Sequence, residues 1–309
     1  MNIEYIAYYT PSKTTTLAHL CQKNELSCDE ATVLEKLMGL KQVPRDPNKT
    51  PYDNIRALLT LFLNKEKIDT QKVRYVFISH TADYIIPFQF NLSQLVTNEF
   101  QFRNALCFSS VINKCASPFH FFKLANTLFQ TLCHDEFILI INSDAAFTDV
   151  IKTIPGSTVM GDAASVIVLS KTAPSHRFLD VEIDVNAQFY NGVFGCKDEK
   201  LLFQSVYPEK LCGVINRVIQ RHKMSLSQIK LILPHNVNTF SWKMIAQKMD
   251  FSNEKIFLDN VQKLGHCFGS DPFMNLKDAI DRNLLVSGDY YILTTVGLGA
   301  TFSAMLFQY

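Results

Sequence analysis

Cys115 is the residue whose position best suits it to chemistry. It lies in Ala105–Phe129, a stretch that predicts a buried strand, a short turn and a helix that opens at Cys115. A cysteine at a helix N-terminus has its sulfur beside unpaired N–H groups and the positive end of the helix dipole, which favours thiolate over thiol. A free cysteine is more often a small buried hydrophobe, and the chain has eight cysteines, so this stretch alone leaves both interpretations open.

Three histidines stand where an apolar strand ends or a helix begins. His80 ends the predicted strand Val73–Ser79, His235 ends a second apolar run, and His266 opens a predicted helical segment. An imidazole can donate a hydrogen bond, accept one or carry charge, so each of them could serve a thiolate. An isolated histidine at a strand end is usually structural, and that is the interpretation we adopt for His80.

Composition places the chain among ordinary globular proteins. It has 309 residues, 47% of them hydrophobic and 19% charged, with a formal net charge of +1. Lys and Arg are not concentrated in one segment, which argues against nucleic acid or an anionic membrane as a partner. No apolar run of about 18 residues and no signal-peptide pattern is present, so a cytoplasmic protein without a membrane span is expected. The cysteines lack paired metal-ligand spacing, so no metal site is predicted and all eight are expected to be thiols.

The second half of the chain repeats the first. Each half has an apolar strand, then a cysteine and a proline at a helix start, then a further apolar strand. The corresponding stretches are Ile68–His80 with Leu226–His235, Lys114–Ala125 with His266–Ala279, and Asp135–Asp144 with Gly288–Gly297. The repeat predicts an N-terminal half of residues 1–172 that carries the cysteine and a C-terminal half of residues 173–309 that carries His235 and His266. Packed face to face, the halves would bring the helix starts at Cys115 and His266 together.

Five short motifs together resemble the thiolase superfamily, and most closely its ketoacyl-acyl-carrier-protein synthase III branch. The resembling residues are Cys115-Ala116, Gly161-Asp162-Ala163-Ala164, Pro234-His235-Asn236-Val237-Asn238, Gly265-His266 and Gly297-Leu298-Gly299-Ala300-Thr301. The resemblance covers essentially the whole chain, although residues 180–211 are shorter than the family pattern leads us to expect. It implies an α/β protein with a thiolase-like five-layer α/β/α/β/α fold, duplicated halves and two sheets back to back. The repeat favours the same layering, because each sheet has two faces to bury and central helices can be shared.

The resemblance also implies a chemistry for the motif residues. Cys115 would attack an acyl thioester and hold the acyl group as a new thioester, which splits one transfer into two easier steps. The oxyanion would be stabilised by the backbone N–H of Cys115 and by the turn formed by Gly297, Leu298 and Gly299. His235 would donate a hydrogen bond to a carbonyl oxygen or act as a base toward the second substrate.

Substrate contacts and partners follow from the same resemblance. Asn238 and Phe88 are expected to contact the substrate. No metal or resident cofactor is implied; coenzyme A or phosphopantetheine enters only as the carrier of the acyl group. The partner would be an acyl-carrier protein or acyl-coenzyme A, and the strand around Leu106–Ser110 would pair with its copy in a homodimer.

His266 is the clearest departure from the family pattern, because the decarboxylating synthases have asparagine after this glycine. An amide is a fixed uncharged donor, whereas an imidazole can also accept a proton. Two cationic rings beside one thiolate would repel, so at least one of His235 and His266 should be neutral at pH 7. We therefore expect catalysis by Cys115, His235 and His266 with a bias toward a non-malonyl acceptor, in specialised polyketide or fatty-acid-derived metabolism.

Three functions remain open at this stage. The first is an acyltransferase that performs a Claisen-type condensation or a transfer to another nucleophile. The second is a non-catalytic subunit that shapes the pocket of an active paralogue, and the third is a thiol-dependent hydrolase. The only Trp, Trp242, is not placed to stack on coenzyme A, and Phe240 stands at a position that is basic in the family. A carrier-protein donor is thus somewhat favoured over free coenzyme A.

Overall fold

The computed structural model describes residues 1–83, 85–87 and 89–309. The first half contains, in chain order, β1 (Asn2–Tyr9), β2 (Thr14–Thr16), α1 (Leu17–Gln22), α2 (Cys28–Lys36), β3 (Gln42–Pro44), α3 (Pro51–Glu66), β4 (Val73–Ser79), α4 (Leu92–Glu99), β5 (Leu106–Ser110), α5 (Ser117–Leu128), β6 (Phe137–Asp144), α6 (Asp149–Lys152), β7 (Thr153–Ile154), β8 (Thr158–Val159) and β9 (Ala163–Ser170). The second half contains β10 (Arg177–Val185), α7 (Lys197–Arg221), β11 (Ile229–Pro234), α8 (Thr239–Met249), α9 (Asp259–Leu264), α10 (Asp271–Asp281), β12 (Tyr290–Gly297) and β13 (Thr301–Gln308).

The predicted duplication is present in the order and direction of the strands. From the middle of the molecule outward, the first half runs β1-β9-β6-β4-β5 and the second half runs β10-β13-β12-β11. In both halves the first two pairings are antiparallel and the third is parallel. The first half adds β5, parallel to β4, at its edge. Corresponding strands therefore lead into corresponding loops. Along the chain, the first half ends with β9 and the second half begins with β10.

The two sheets are joined, which differs from the expected pair of separate sheets. β1 and β10 form one antiparallel Cα pair, Asn2 with Arg177, so that a single nine-stranded ladder runs through both halves. Only the ends of β1 and β10 meet here, and the sheet of each half is still covered on both faces. The five-layer prediction is thus confirmed in its layers, while the separation of the sheets is wrong at this one pair.

Alternating side chains show how the layers stack. On β4, Phe77 packs with α5 in the central core, while its neighbour Val76 packs beneath α3. On β13, Phe307 joins the same central core, while Leu306 packs with α7 and α8. The central helices α5 and α10 each contact strands of both halves. The order of layers is therefore α3 and α4, first sheet, α5 and α10, second sheet, α7 and α8.

Local sequence explains where the main helices begin. Thr50 and Asp53 form a capping box at the start of α3, with Pro51 in the first turn, where its missing N–H costs nothing. The central helices α5 and α10 also have a proline in their first turn, Pro118 and Pro272. The strand bounds Val73–Ser79 and Leu106–Ser110 agree with the sequence predictions.

Several local expectations were wrong. The three prolines of residues 42–51 predict an exposed loop, yet β3 in this segment pairs with β2, and Arg45 is buried with its Nε donating to the Met160 carbonyl oxygen at 2.9 Å. No regular strand precedes Cys267; α9 ends at Leu264 and His266 forms an isolated bridge with Met160. Long-range hydrogen bonds, which the local sequence pattern does not reveal, determine the conformation of both segments.

Cys21 and Cys28 are bonded to each other, so the expectation that every cysteine is a thiol is wrong for this pair. The short connection between α1 and α2 brings their Cα atoms to 5.2 Å, within the range of a disulfide. Cys115 is among the free cysteines. In the part of the chain that the structure describes, no helix combines the length and apolar character needed to span a membrane.

Candidate active site

Cys115 lies in a tight turn that leads into α5. A 3₁₀ turn covers Lys114–Ala116, and the α-helix starts two residues after the cysteine, at Ser117, and not at Cys115 itself. Lys114 has φ 49°, a left-handed conformation that is uncommon outside glycine and often marks functional sites. The turn presents Cys115, 7% exposed, at the floor of a cavity.

The end of β12 packs directly against this turn. A Cβ on Gly297 would overlap the carbonyl oxygen of Asn113 and lie 3.1 Å from the Ala116 nitrogen, so only glycine fits here. Thr301 Oγ1 donates to Asn113 Oδ1 at 3.1 Å, which ties the start of β13 to the same turn. Gly297 and Leu298 thus lie next to the nucleophile turn, where the sequence predicted the oxyanion turn.

His266 reaches the cysteine from the second half. Gly265 before it has φ 57° and ψ −149°, a region that essentially only glycine adopts, and a Cβ there would lie 2.9 Å from the Val159 carbonyl oxygen. This backbone turn directs His266 Nε2 to 3.9 Å from Cys115 Sγ. In the Gly265-His266 pair that the sequence indicated, the glycine therefore allows the backbone turn that places the imidazole beside the sulfur.

Asp271, at the start of α10, holds the other side of the ring. Its Oδ2 lies 2.5 Å from His266 Nδ1 and accepts from the Asn236 backbone N–H at 2.6 Å. Its Oδ1 accepts from the Cys267 N–H at 2.7 Å. Asp271 is fully buried, and these contacts fix its carboxylate in the plane it needs to orient the imidazole. Cys115, His266 and Asp271 form a continuous chain of side chains.

The protonation state of His266 is set mainly by Asp271. Burial acts to lower the pKa of His266, but the Asp271 carboxylate and the Cys115 sulfur together raise it to about 10. His266 is thus an imidazolium at neutral pH, paired with a carboxylate on one side and facing the sulfur on the other. A cation in that place stabilises a thiolate.

His235 contacts a different partner. Its Nε2 lies 2.7 Å from the hydroxyl of Tyr207, a residue of α7, and its Nδ1 is buried with no partner among the described residues. Burial, aided by the charge on His266, lowers the pKa of His235 to about 3. Its ring centre lies 6.0 Å from that of His266. His235 is therefore the neutral imidazole of the pair, and its Nε2 is occupied by a tyrosine.

A cavity of about 800 Å³ opens above these residues. Its wall beside the sulfur is apolar, formed by a cluster that includes Met160, Phe268 and Ile154. Further lining residues come from the segment 190–208, which contains the connection from β10 to α7 and the first part of α7. At the mouth, Tyr190 and Phe194 are more than three-quarters exposed. An apolar cavity that ends at a nucleophile suits an acyl group bound through its chain.

Of the remaining residues that the sequence indicated, some line the cavity and others do not. Asn238 lines the cavity, but its amide caps α8 by accepting from Ser241 N at 2.6 Å and donates to the Ser157 carbonyl oxygen at 3.0 Å. Leu298 lines the cavity, whereas Gly299 is not among the lining residues. Phe88 lies outside the described residues. His80 holds its own turn, with Nδ1 2.6 Å from the Ala82 carbonyl oxygen, in keeping with a structural role.

Four residues near the sulfur were missed from the sequence. They are Asp271, Tyr207, Thr81 and Asp144. Asp271 lies only five residues after His266, so the spacing of a histidine and a helix-start carboxylate could have revealed it. The others reach the site from separate elements, and no local pattern links them to it.

The fold is thiolase-like, and comparison with known proteins shows which proteins the chain is similar to. The family model for the C-terminal part of 3-oxoacyl-[acyl-carrier-protein] synthase III matches residues 219–309. The chain is 22% identical to the beta-ketoacyl-[acyl-carrier-protein] synthase III of Clostridium beijerinckii, over all of this chain and 99% of that protein.

Solved structures share the whole fold. The acyltransferase ChlB3 superposes with a TM-score of 0.85 at 15% identity, over 99% of this chain and 97% of that one. The 3-oxoacyl-[acyl-carrier-protein] synthase III of Aquifex aeolicus gives 0.79 at 17% identity, over 100% and 99%. The chain is therefore similar to 3-oxoacyl-[acyl-carrier-protein] synthase III proteins over its whole length, and it shares the thiolase-like fold of the solved structures.

Proposed function

We propose that the protein is an acyltransferase that forms a thioester on Cys115 and passes the acyl group to a second substrate. The observation that carries the proposal is the chain of three buried side chains, with Cys115 Sγ 3.9 Å from His266 Nε2 and His266 Nδ1 2.5 Å from Asp271. A sulfur, an imidazole and a carboxylate in this order are suited to nucleophilic catalysis.

In the first half-reaction the Cys115 thiolate attacks the carbonyl carbon of an acyl thioester. A bond forms from Sγ to the acyl carbon, and the bond from that carbon to the carrier sulfur breaks. The departing thiolate takes a proton from the His266 imidazolium and leaves as a thiol. Backbone N–H groups of Cys115 and of the turn from Gly297 to Gly299 stabilise the oxyanion in between.

The second half-reaction needs a base, and His266 becomes one. Acylation removes the negative sulfur that helps to raise the pKa of His266, and the proton has left with the carrier thiol. The neutral ring, still oriented by Asp271, accepts a proton from the attacking oxygen, nitrogen or acidic carbon of the acceptor. The acceptor then takes the acyl group and restores the cysteine.

Tyr207 favours transfer to such a nucleophile over decarboxylative condensation of a malonyl group. Condensation requires donors that stabilise an enolate, and His235 is the family residue for that task. Here His235 Nε2 is bonded to the Tyr207 hydroxyl at 2.7 Å. A specialised polyketide or fatty-acid-derived pathway would supply the acyl donor and the non-malonyl acceptor.

Intact-protein mass spectrometry tests the proposal. After incubation with acyl-coenzyme A or acyl-carrier protein we expect an acyl adduct on the protein, and none on Cys115→Ala. Cys212→Ala is the matched control, since Cys212 is also buried and free but lies outside the cavity lining. Absence of an adduct would support a non-catalytic partner subunit, and rapid release of free acid would support a hydrolase.

The role of His266 as a base has its own test. His266→Asn restores the amide of the decarboxylating synthases and removes the proton acceptor. We expect the variant to lose transfer to a hydroxyl or amine acceptor and to release more carbon dioxide from malonyl-carrier protein than the native protein. Equal carbon dioxide release from both would mean that His266 is only a substitute donor.

The donor is proposed to be an acyl-carrier protein in preference to free coenzyme A. Trp242 is fully buried and donates to the His235 carbonyl oxygen at 3.0 Å, so its ring is not available for an adenine. Phe240 is 41% exposed at the cavity mouth, where an apolar contact with a carrier protein fits better than a phosphate. Acylation rates with the two donors, compared at equal concentration, decide between them.

A homodimer is also proposed. β5 is the last strand at one end of the sheet, and Leu106 at its start is 62% exposed. An exposed sheet edge of this kind is a template for pairing, and two copies could pair edge to edge around a twofold axis. Light scattering at micromolar concentration should give a dimer, and Leu106→Lys should shift the mass toward the monomer. A native monomer would contradict the proposal.

A further inference from the structure

Thr81 approaches the sulfur of Cys115 from the first half of the chain, whereas the His266–Asp271 pair belongs to the second half. Its Oγ1 lies 3.8 Å from Cys115 Sγ, in a geometry that allows either atom to be the donor. The residue follows β4 and lines the cavity. The sulfur therefore has two polar neighbours, an imidazole and a hydroxyl.

Asp144 holds Thr81 in this position. Its Oδ1 accepts from the Thr81 backbone N–H at 2.6 Å, and its Oδ2 accepts from the Thr81 hydroxyl at 3.1 Å. Asp144 ends β6, the strand beside β4, and is 5% exposed. The carboxylate thus lies one hydroxyl away from the nucleophile, without a protein cation in hydrogen-bond contact among the described residues.

We infer that Thr81 is a further catalytic residue, whose hydroxyl carries the thiol proton of Cys115 to the carboxylate of Asp144. In the resting arrangement the Cys115 S–H donates to Thr81 Oγ1, and the Thr81 O–H donates to Asp144. When the thiolate forms, the S–H proton moves to Oγ1 and the hydroxyl proton moves to Oδ2. The hydroxyl then donates to the sulfur, and Asp144 is a neutral carboxylic acid, so no proton leaves the three groups.

His266 explains why a second proton acceptor is needed. Its ring is already held as an imidazolium by Asp271, so it can stabilise a thiolate but cannot also take the proton of the thiol. Burial raises the pKa of Asp144 to about 7, against the opposing effect of its hydrogen bonds from Thr81. A carboxylate with that affinity for a proton exchanges one readily near neutral pH.

Other charged or titratable groups face the same turn and must be considered in any pH profile. Lys114 Nζ lies 3.3 Å from the Thr81 carbonyl oxygen and 3.3 Å from Asp83 Oδ1, on the open side. His80 precedes Thr81, and burial lowers its pKa. His266 faces Cys115 from the second half. Of these groups, only His266 contacts the sulfur directly.

Alkylation of Cys115 by iodoacetamide measures its thiolate without requiring acyl transfer. The inference rests on the proposed function only in taking Cys115 as the nucleophile, so the two can fail separately. Modification is followed peptide by peptide on the intact native fold. Cys133 is exposed, free and not among the residues that line the cavity, so its rate is the internal reference in every variant.

Thr81→Val keeps the shape of the side chain and removes the hydroxyl. Since a hydrogen bond to a charged group is lost, we expect Cys115 alkylation at pH 7 to slow about tenfold. Thr81→Ser restores the hydroxyl and should restore the native rate. A native rate in Thr81→Val, or an equal loss in Val and Ser variants, would overturn the assignment.

Asp144→Asn tests the destination of the proton. The alkylation rate of the native protein between pH 5 and 10 should show the separate steps of coupled groups, and the variant should show one step fewer. Asp162→Asn is the matched control, because Asp162 is a buried carboxylate that accepts from two backbone N–H groups, those of Asp46 and Ala146. Its profile should match the native one. An unchanged profile in Asp144→Asn would refute the relay, and if that variant does not fold, the Thr81 pair still decides.

Discussion

Replacement of Asp271 by asparagine is the sharpest test of the proposed triad. The carboxylate accepts from the backbone N–H groups of Cys267 and Asn236 and contacts His266 Nδ1. An asparagine oxygen can keep the bond from Cys267, but its NH₂ group then faces Nδ1. Nδ1 must become an acceptor, and the ring loses the negative partner that holds its second proton.

The expected size of the effect follows from the bond that is lost. A buried hydrogen bond to a charged group contributes roughly 1.5–3 kcal/mol, which corresponds to roughly a 10- to 150-fold slower acylation of Cys115 at pH 7. The direction with pH is also defined. The pKa of His266 is raised to about 10, so the variant should lose its imidazolium, and with it acylation, at a lower pH than the native protein.

The same shift predicts how stability depends on pH. A group whose pKa is raised on folding contributes stability that is fully present below its unfolded pKa, about 6.5 for histidine, and is lost as the pH rises through the folded value. The native protein should therefore lose part of its free energy of unfolding between about pH 6.5 and 10. Asp271→Asn should flatten that loss.

Acylation is measured by rapid quench and intact mass, and stability by urea unfolding at several pH values. Asp278→Asn is the matched control. Asp278 also lies on α10 and accepts hydrogen bonds, from Tyr8 Oη at 2.8 Å and Asn260 Nδ2 at 2.7 Å, but it is not in the cavity. If Asp271→Asn acylates at the native rate, and if its acylation rate falls at the same alkaline pH as that of the native protein, Asp271 does not orient His266 and the triad is refuted.

Three further substitutions probe the rest of the site. Tyr207→Phe frees His235 Nε2, so carbon dioxide release from malonyl-carrier protein should rise while acylation of Cys115 is unchanged; no rise would mean that Tyr207 does not block condensation. Gly297→Ala forces a methyl group against the Asn113 carbonyl oxygen, and calorimetry should show a loss of about 1–3 kcal/mol together with slower acylation. The pKa of His235 is lowered to about 3, so its contribution to stability is present above about 6.5 and lost as the pH falls; urea unfolding of His235→Gln should show a weaker acid dependence than the native protein.

The sequence was most informative where local pattern and tertiary structure agree. The strand β4 lies at its predicted position because its apolar run packs against α3 on one face and against the central core on the other. The repeat predicted the shared strand order of the halves, which no single segment could. The joining of the two sheets through Asn2 and Arg177 could not be predicted, because one backbone pair leaves no mark on the pattern.

The site was only partly predictable for a similar reason. Cys115 and His266 each lie a few residues before a central helix, α5 and α10, and a duplicated fold brings the starts of these helices together, so their proximity followed from the repeat. The contact between His235 and its partner, Tyr207, did not follow from the repeat. Tyr207 comes from a long helix 28 residues earlier in the chain, and its contact depends on how residues 190–208 line the cavity.

His266 and Asp271 depend on each other energetically. A histidine in place of the usual asparagine is buried to 3% exposure, and a buried ring that must ionise is costly unless it is paired. Asp271 supplies that partner, and the backbone N–H groups of Asn236 and Cys267 in turn stabilise its charge. Each side chain lowers the cost of burying the other, because Asp271 alone would be an unpaired charge in the core and His266 alone would lose its charge on burial. In the proposed mechanism the pair replaces a fixed neutral donor by a group that gives and takes a proton, which would favour transfer to a nucleophile over decarboxylative condensation.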